Sequence, residues 1–198
     1  MLIKRAFDLV FTVPGVIFLS PLFLLVIIWI KFDSPGPVFF RQVRIGQYGK
    51  PFKILKFRTM MVDAEKHGKQ ITIGADRRIT KSGKILRKYK LDELPQLFNI
   101  IVGDMSLVGP RPEVPQYVQY YPETLRKIVL SVPPGMTDFA SIEYKDENAI
   151  LGNADNPEKA YIDEILPVKL NYCVKYVESR NVFLDFYLIV KTIYAIVK

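Results

Sequence analysis

The longest apolar run of the chain lies close to its beginning. Residues 9–30, LVFTVPGVIFLSPLFLLVIIWI, contain no charged side chain, and basic residues flank them on both sides. The run exceeds the roughly 20 residues that cross a bilayer as a helix. It is also longer than the apolar core of a cleaved signal peptide, and no A-x-A-like site follows it. The pattern predicts a membrane-embedded segment over residues 1–32 and a separate body over residues 33–198.

Two prolines interrupt this apolar run. Pro14 and Pro21 each remove a backbone donor, and Pro21 follows Ser20, so a kink is expected near residues 17–21. Two arms broken there are each roughly 15 to 18 Å long, about half the hydrocarbon thickness. The segment either re-enters the membrane as a helix-break-helix hairpin or crosses it once as a kinked helix, and the pattern leaves both open. Basic flanks prefer the cytoplasm, which predicts a cytoplasmic body in either case.

Beyond this segment, apolar and basic residues alternate. The stretch PVFFRQVRIGQYGKPFKILKFRTM surrounds a Gly-Gln-Tyr-Gly turn and predicts a β-hairpin with strands near 37–45 and 51–58. SGKILRKYK and LDELPQLFNIIVG predict two short helices that separate near Leu91. The expected fold class is α+β: a small mixed α/β body with a short hairpin, anchored by the apolar segment.

Later stretches predict less regular structure. GPRPEVPQYVQYYP and SVPPGMTDF are rich in proline and are expected to form irregular connections. Residues 138–164 carry eight acids and two lysines, which predicts a solvated loop. This loop is expected to run into a helix with Asn156 as its N-cap and Pro157 at the first helical position.

The last segment, NVFLDFYLIVKTIYAIVK, places apolar residues at helical spacing. These residues are Phe183, Phe186, Tyr187, Val190, Ile193 and Tyr194. Such a stripe belongs to the core or, beside a membrane-anchored segment, to an amphipathic helix in the membrane interface. The pattern alone leaves both interpretations open.

Charge and cysteine content narrow the class of protein. The net charge of +8 is uneven, because residues 1–90 carry 18 Lys and Arg against 5 acids, while residues 91–198 carry 10 against 15. A basic first half suits a protein that holds phosphates, lipid headgroups or nucleic acid there. Cys173 is the only cysteine and His67 the only histidine, so an internal disulfide is excluded and a zinc site is not expected. His67 is expected to be a surface residue.

Two adjacent acids, Asp92 and Glu93, precede a long apolar stretch. Because Pro95 is tolerated only in a first helical turn, both acids are expected at a helix N-terminus, where the macrodipole should lower the pKa of Asp92. Asp92 can be a simple N-cap. Neighbouring helical side chains diverge by about 100°, which argues against a dyad that shares one proton. Separate roles fit better: nucleophile or base for one acid and Mg²⁺ ligand for the other.

Three arginines are candidates to bind a diphosphate near these acids. Arg58, Arg87 and Arg111 lie at the end of the hairpin, five residues before Asp92, and within GPRP. Guanidinium groups bind phosphate oxygens in a bidentate manner, although each arginine alone is also compatible with a surface charge. The stretch ITKSGKIL lacks the first glycine and the final Ser or Thr of a P-loop, so that class of enzyme is excluded.

Three longer motifs follow the Ser-Pro-broken apolar start in order: FKILKFRTM, LRKYKLDELPQLFNIIVGDMSLVGPRP and PPGMT. They closely resemble the bacterial sugar transferases known as monotopic phosphoglycosyl transferases, and the resemblance spans nearly the whole chain. It implies an enzyme at the cytoplasmic face of the bacterial inner membrane that moves a sugar 1-phosphate from a UDP-sugar to polyprenol (undecaprenyl) phosphate, releases UMP and initiates glycan assembly. It also implies a re-entrant helix broken at Ser20 and Pro21.

Carried over by position, the resemblance implies roles for five residues. Asp92 matches a nucleophile that forms a covalent phosphosugar intermediate, and Glu93 matches the acid that binds Mg²⁺. Arg87, Arg111 and Arg58 match basic residues around the diphosphate, with Arg58 in the place of a frequent lysine. The implied partners are UDP-sugar, polyprenol phosphate and membrane lipid, without nucleic acid. A homo-oligomer and downstream glycosyltransferases are open as further partners.

The chain departs from the usual family pattern at three positions. Asp138 takes the place of a glycine after PGMT, Glu147 stands where an arginine often precedes NAI, and Cys173 stands where aspartate is frequent. These regions are expected to recognise sugar and nucleotide. The departures therefore leave the donor sugar unassigned.

Two alternatives compete with this interpretation. A non-catalytic, membrane-tethered module could use the basic first half to hold anionic lipid or nucleic acid, but acids inside the basic cluster would weaken such binding. Alternatively, Asp92 acts as a general base, and the lipid phosphate attacks the UDP-sugar directly.

Overall fold

The computed structural model describes residues 2–62, 64, 76–143, 151–152 and 154–197. It begins with one long helix, α1 (Leu2–Asp33). An antiparallel hairpin follows, made of β1 (Phe39–Ile45) and β2 (Pro51–Phe57). This mixed composition agrees with the predicted α+β class.

The remaining elements are short helices and two very short strands. In chain order they are α2 (Lys81–Lys88), α3 (Gln96–Val102), β3 (Ser106–Val108), α4 (Pro115–Val118), α5 (Glu123–Val129), β4 (Gly135–Thr137), α6 (Phe139–Glu143), α7 (Pro157–Ala160), α8 (Leu166–Ser179) and α9 (Val182–Val197). Single turns at Gln47–Gly49, Leu91–Glu93 and Tyr161–Ile165 connect some of them.

The predicted hairpin is confirmed. Its register pairs Phe39 with Phe57 and Ile45 with Pro51, and Tyr48 adopts the left-handed conformation in the connecting turn (φ 57°). The ring of Phe57 stacks on Phe39 at 5.6 Å and lies 5.4 Å from the ring of Phe23. The hairpin is thereby packed against α1.

The two predicted helices after the hairpin are also confirmed, with a sharp boundary between them. Lys90 is in the left-handed conformation (φ 55°) and ends the segment that contains α2. The turn Leu91–Glu93 then leads into α3, and Pro95 lies at the N-cap of α3, where its missing amide costs no helical hydrogen bond.

A second, parallel sheet was not predicted. It pairs β3 with β4 through Ser106 opposite Gly135 and Val108 opposite Thr137. The two segments cross so closely that a Cβ atom on Gly135 would lie 2.0 Å from the backbone nitrogen of Gly109. The prediction of irregular structure was therefore wrong at β4 within SVPPGMTDF and at α4 within GPRPEVPQYVQYYP, and it is confirmed for residues 109–114 and 131–134 of the two stretches.

The predicted solvated loop over residues 138–164 is wrong where the structure describes its beginning. Asp138 is buried and α6 follows it directly, because the carboxylate caps this helix by accepting from Ser141. The predicted helix start at Asn156 and Pro157 is confirmed. Residues 144–150 and 153, and with them Glu147, lie outside the described residues, as does His67.

Helix α1 runs from Leu2 to Asp33 with Pro14 and Pro21 inside it, so the helix is not interrupted at the break predicted near residues 17–21. One face contacts the body along the whole length, through Arg5, Asp8, Thr12, Val16, Leu19, Phe23, Val26, Ile30 and Asp33. The opposite face exposes large apolar side chains, among them Val10, Phe11, Ile17, Phe18, Leu24, Leu25 and Phe32. Within the described part of the chain, α1 is the one helix long and apolar enough to cross a membrane.

Helix α9 presents a second exposed apolar face. Its predicted stripe, Phe183, Phe186, Tyr187, Val190, Ile193 and Tyr194, is exposed, so the interpretation as a core helix was wrong. The buried side of α9 carries Leu188 and Asp185 instead. Phe186 lies 6.4 Å from Phe11 between ring centroids, which joins the exposed faces of α9 and α1 into one apolar surface.

Polar residues fix the N-terminal end of α1 to the body. Lys4 bridges Asp8 at 3.2 Å and Asp185 at 2.9 Å, and Asp8 also accepts from Ser106 and from the amide of Leu107. Arg5 donates to the carbonyl oxygens of Ile100 and Ile101 at the end of α3. Tyr176 of α8 donates to Asp185 at 2.8 Å. We call Lys4, Arg5, Asp8, Ser106, Tyr176 and Asp185 the N-terminal clamp.

Candidate active site

The two predicted acids lie in the turn between α2 and α3. Asp92 and Glu93 are both 8% exposed. The left-handed Lys90 reverses the chain, and the amide of Glu93 bonds back to the carbonyl of Lys90. The following Pro95 prevents a longer helix from starting before the acids. The local sequence thus holds both carboxylates in one tight turn beneath the surface.

Glu93 is fully engaged by two cations. Both guanidinium nitrogens Nη1 and Nη2 of Arg111 donate to its carboxylate, the first at 3.2 Å, and Nζ of Lys56 donates to Oε1 at 2.8 Å. Burial would raise the pKa of Glu93, but the charges and hydrogen bonds of Arg111 and Lys56 hold it well below its usual value. Glu93 is therefore ionised throughout the neutral range.

The carboxylate of Asp92 has a hydrogen-bond acceptor that is not used. Its Oδ1 is buried and, among the described residues, has no hydrogen-bond partner. Burial and the neighbouring charge of Glu93 raise the pKa of Asp92, while Lys56, Arg87 and Lys90 oppose that shift. The expectation that a helix dipole lowers this pKa was wrong, because α3 begins only at Gln96 and burial outweighs a distant helix end.

Arg87 approaches the acids from α2. Its Nε donates to Thr59 Oγ1 at 2.9 Å, and its charge acts mainly on Asp92. Helix α2 can lie this close to the end of β2 because Gly83 faces Thr59, where a Cβ atom would be 2.1 Å from the Thr59 carbonyl oxygen. The small residue at Gly83 thus brings Arg87 to the site.

Arg58 does not join this cluster. Its guanidinium donates to the carbonyl and hydroxyl oxygens of Ser34 and to the carbonyl of Pro35, in the link between α1 and β1. Lys56, two residues earlier on β2, takes the place near the acids that was expected for Arg58. The alternation of the strand identified the basic face, but it did not indicate that β2 ends at Phe57 and that the chain then turns away.

Ser20 and Pro21, the predicted membrane break, lie inside α1 on its exposed side. The Ser20 hydroxyl donates to the carbonyl oxygen of Ile17 at 2.8 Å. The Ile17 carbonyl lies one turn before Pro21, which has no N–H to donate to it, so the hydroxyl of the adjacent Ser20 supplies a donor instead.

The residues present fit a magnesium ion only if a substrate contributes ligands. Among the described residues there is no group of three or more His, Cys, Asp or Glu side chains arranged for a metal. Asp92 offers an unpaired buried oxygen, whereas Glu93 already holds two cations. Mg²⁺ commonly binds one or two carboxylates together with water and substrate phosphates. The donor set is compatible with that kind of site.

Comparison with known proteins identifies the family. A family model described as bacterial sugar transferase matches residues 1–198. UDP-N-acetylgalactosamine-undecaprenyl-phosphate N-acetylgalactosaminephosphotransferase of Aeromonas hydrophila is 35% identical over 193 residues, which cover 96% of this chain and 43% of that protein. UDP-glucose:undecaprenyl-phosphate glucose-1-phosphate transferase of Klebsiella pneumoniae is 38% identical over 197 residues, covering 98% and 40%.

A further relative has a more similar length. Exopolysaccharide production protein ExoY of Sinorhizobium fredii is 34% identical over 208 residues, covering 98% of this chain and 84% of that protein. The chain spans only about two fifths of the Aeromonas and Klebsiella relatives. Because the family model matches from the first residue to the last, the chain belongs to the bacterial sugar transferase family.

Proposed function

We propose that this chain transfers a sugar 1-phosphate from a UDP-sugar to polyprenol phosphate, in the first step of membrane-linked glycan assembly. The observation that carries the proposal is the unpaired buried oxygen of Asp92 beside a glutamate held by two cations. Two relatives bear names that specify this reaction with undecaprenyl phosphate, although their sugars differ, N-acetylgalactosamine in one and glucose in the other. The donor sugar is therefore left open.

In the first step, a carboxylate oxygen of Asp92 attacks the sugar-linked phosphorus of the UDP-sugar. A new oxygen–phosphorus bond forms to Asp92, the bond from that phosphorus to the UMP oxygen breaks, and UMP leaves with the electron pair. The product is an aspartyl phosphosugar. Such covalent catalysis divides one phosphoryl transfer into two easier ones.

In the second step, an oxygen of polyprenol phosphate attacks the same phosphorus. The bond to Asp92 breaks, the carboxylate is regenerated, and the polyprenyl diphosphosugar leaves. Arg111, Lys56 and Arg87 are the cations within the acid cluster that can neutralise charge on the phosphoryl oxygens in both steps.

The environment of Asp92 favours a nucleophile over a general base. A phosphate monoester has its second pKa near 6, so most polyprenol phosphate has already lost its second proton at neutral pH. A base at position 92 would therefore contribute little. A buried carboxylate with one unpaired oxygen is poorly solvated, and poor solvation leaves it more reactive toward phosphorus.

Mg²⁺ is proposed as the metal, with Glu93 and Asp92 as the candidate protein ligands. Bound there, the ion would neutralise charge on the diphosphate of the substrate. Glu93 can contribute to a metal site because Arg111 and Lys56 keep its pKa well below the usual value, so that no proton competes with the ion.

The contacts of α1 support a re-entrant arrangement with the body on the cytoplasmic face of the membrane. The N-terminal clamp joins one end of α1 to β3, α3 and α9, and Ser82 of α2 donates to Asp33 at the other end at 2.9 and 2.8 Å. A helix that crosses the bilayer separates its ends by about 30 Å of hydrocarbon. Both ends of α1 instead bind polar atoms of one body, which favours entry and exit on the same side.

Thiol labelling tests this arrangement. Leu2→Cys and Ser34→Cys, introduced singly in a Cys173→Ser background, are treated on intact cells with a membrane-impermeant reagent. Neither position should react until the cells are opened. Labelling of position 2 alone from outside would instead establish a single crossing, and labelling of position 34 would place the body outside.

UMP release tests the reaction. The purified chain is supplied with Mg²⁺, polyprenol phosphate and a panel of UDP-sugars, and one sugar is expected to support UMP release. With that sugar radiolabelled and polyprenol phosphate omitted, label should remain on the denatured parent protein and be absent from Asp92→Asn. Turnover without trapped label would support direct attack by the lipid phosphate. Anion binding that weakens with salt, without turnover on any sugar, would support the binding module.

A further inference from the structure

The backbone amide of Arg111 makes a hydrogen bond to a distant side chain. In the sequence Pro110-Arg111-Pro112 neither proline has an amide hydrogen, so the N–H of Arg111 is the only backbone donor among the three residues. It donates to Oδ2 of Asp138 at 3.2 Å. The conformation of this short stretch therefore depends on an aspartate 27 residues further along the chain.

Asp138 follows directly after β4, where the two segments are still hydrogen-bonded to each other. Directly before it, the Thr137 carbonyl accepts from Gly109 N at 3.0 Å, and Gly135 N donates to the Pro110 carbonyl at 2.9 Å. At Arg111 the backbone of the second segment has turned into α6, and the carboxylate of Asp138 supplies the acceptor instead.

Both oxygens of Asp138 are used, and they serve different segments. Oδ1 accepts from the amide and hydroxyl of Ser141 at 2.7 and 2.6 Å, which caps α6, while Oδ2 accepts from Arg111. Asparagine could satisfy only one of these two segments, because its side chain has one acceptor oxygen and its NH₂ group cannot accept. Asp138 is 1% exposed, so a lost acceptor here is not replaced by bulk water.

Cys173 of α8 contacts the same carboxylate. Its Sγ lies 3.9 Å from Oδ2 of Asp138, and burial together with this negative charge raises the pKa of the thiol. A neutral thiol tolerates the buried carboxylate, whereas a second acid at position 173 would repel it. Positions 138 and 173 thus share one small volume that accommodates one carboxylate.

We propose that Asp138 is a positioning residue that holds the Arg111 backbone, so that both guanidinium nitrogens meet Glu93, and that a carboxylate is required at this place whether position 138 or position 173 supplies it. The chemical consequence rests on the proposed function, because Arg111 is one of the three cations assigned to the phosphoryl group. The alignment itself does not rest on it.

Hydrogen exchange at the Arg111 amide tests the alignment without any assay of activity. Because both neighbours of Arg111 are prolines, a short peptide around it contains few other exchangeable amide hydrogens. Its exchange therefore reports on the hydrogen bond from the Arg111 amide to Asp138. Exchange should be about tenfold faster or more in Asp138→Gly than in the parent, because this variant has no side-chain acceptor for the amide. Ser141→Ala is the matched control: it removes a contact to Oδ1 but leaves Oδ2, so the Arg111 amide should exchange at the parent rate.

The double variant Asp138→Gly with Cys173→Asp tests the requirement for a carboxylate at this place. In the double variant the Arg111 amide should exchange more slowly than in Asp138→Gly alone. The kcat/KM for UMP release should fall about tenfold in Asp138→Gly and rise again in the double variant. Equal exchange in parent and Asp138→Gly would overturn the proposal, as would a folded double variant as unprotected as the single one. An inactive parent with the expected exchange pattern would leave the alignment supported and the proposed reaction refuted.

Discussion

Two buried pairs of acids in this chain each lie beside basic side chains, but they differ in how completely their carboxylate oxygens are hydrogen-bonded. In the N-terminal clamp, Asp8 and Asp185 share Lys4, and Asp185 uses one oxygen for Lys4 and the other for Tyr176. In the turn of the candidate site, Glu93 is held by Lys56 and Arg111, yet its neighbour Asp92 keeps a buried oxygen without a partner in the described part of the chain.

The difference indicates how burial is used in each place. A buried carboxylate with all its partners contributes rigidity, because losing either partner leaves an uncompensated charge. A buried carboxylate that lacks one partner is poorly stabilised in the free protein and gains most when a ligand or a covalent bond supplies what is missing. The clamp therefore has the properties of a structural element, and the turn has the properties that the proposed chemistry requires.

Asp92→Asn should separate these two properties most clearly. We expect UMP release to fall by about a thousandfold or more, since the amide cannot attack phosphorus. The thermal unfolding temperature should stay equal or rise, because a neutral group replaces a poorly solvated charge. Asp104→Asn, which neutralises an exposed acid just after α3, is the control and should change neither quantity. Activity of Asp92→Asn within tenfold of the parent would exclude Asp92 from the chemical step.

Asp185→Asn should show the reverse pattern. Lys4 would lose its charge-assisted hydrogen bond to α9 but stay paired with Asp8, and losing such a bond costs about 1.5 to 3 kcal/mol. The free energy of unfolding should fall by roughly that amount, while kcat of the folded fraction stays close to the parent value. Glu123→Gln breaks an exposed pair with Lys127 and should cost less than about 1 kcal/mol. Equal effects of the two variants, measured by urea unfolding, would contradict a structural role for the clamp.

Glu93→Gln should raise the Mg²⁺ concentration needed for half-maximal activity by about tenfold or more, because the amide is a weaker ligand and no longer balances Arg111 and Lys56. Glu113→Gln is a useful control, since Glu113 pairs with Arg44 rather than with the acid turn. An unchanged metal titration in Glu93→Gln would mean that substrate or Asp92 holds the ion.

Stability profiles against pH should distinguish the two neighbours by sign. The folded pKa of Asp92 is raised above its ordinary 3.8, so its ionisation opposes folding at neutral pH. The advantage of Asp92→Asn over the parent should shrink as pH falls through that raised pKa. The folded pKa of Glu93 is lowered well below its ordinary 4.5. The stability that ionised Glu93 contributes is therefore fully present above pH 4.5 and is lost as the pH falls toward the folded pKa. The deficit of Glu93→Gln should therefore shrink below 4.5, and profiles of equal sign for the two variants would refute this assignment.

The parts of the fold that follow from local patterns were predictable. Alternation and a Gly-Gln-Tyr-Gly turn fixed the hairpin, and Pro95 fixed where a helix after Asp92 could begin. The β3–β4 sheet was not predictable, because each strand has three residues and their pairing depends on a long-range approach between Gly109 and Gly135. A glycine required by a distant backbone looks the same in sequence as a glycine in a turn.

The site was predicted in part for the same reason. The proximity of Glu93 and Arg111 was expected, and Lys56 was missed because strand alternation does not show at which residue the chain leaves the sheet. The pKa of Asp92 was assigned the wrong direction, because a dipole contribution of about 0.3 to 1 kcal/mol is small beside the cost of burying a charge. Burial of a single side chain is a property of the assembled fold, and local spacing does not reveal it.

The clamp also bears on how the chain is made. Lys4 leaves the ribosome long before Asp185, and at about 5 to 20 residues per second the interval between them is on the order of ten to forty seconds. During that time the apolar α1 carries a lysine and an aspartate near one end. Because Lys4 and Asp8 are four residues apart and already bridge each other at 3.2 Å, the helix can carry this pair in neutralised form while it waits. Once α9 has been synthesised, Lys4 also forms a salt bridge with Asp185, which joins the first and last helices described.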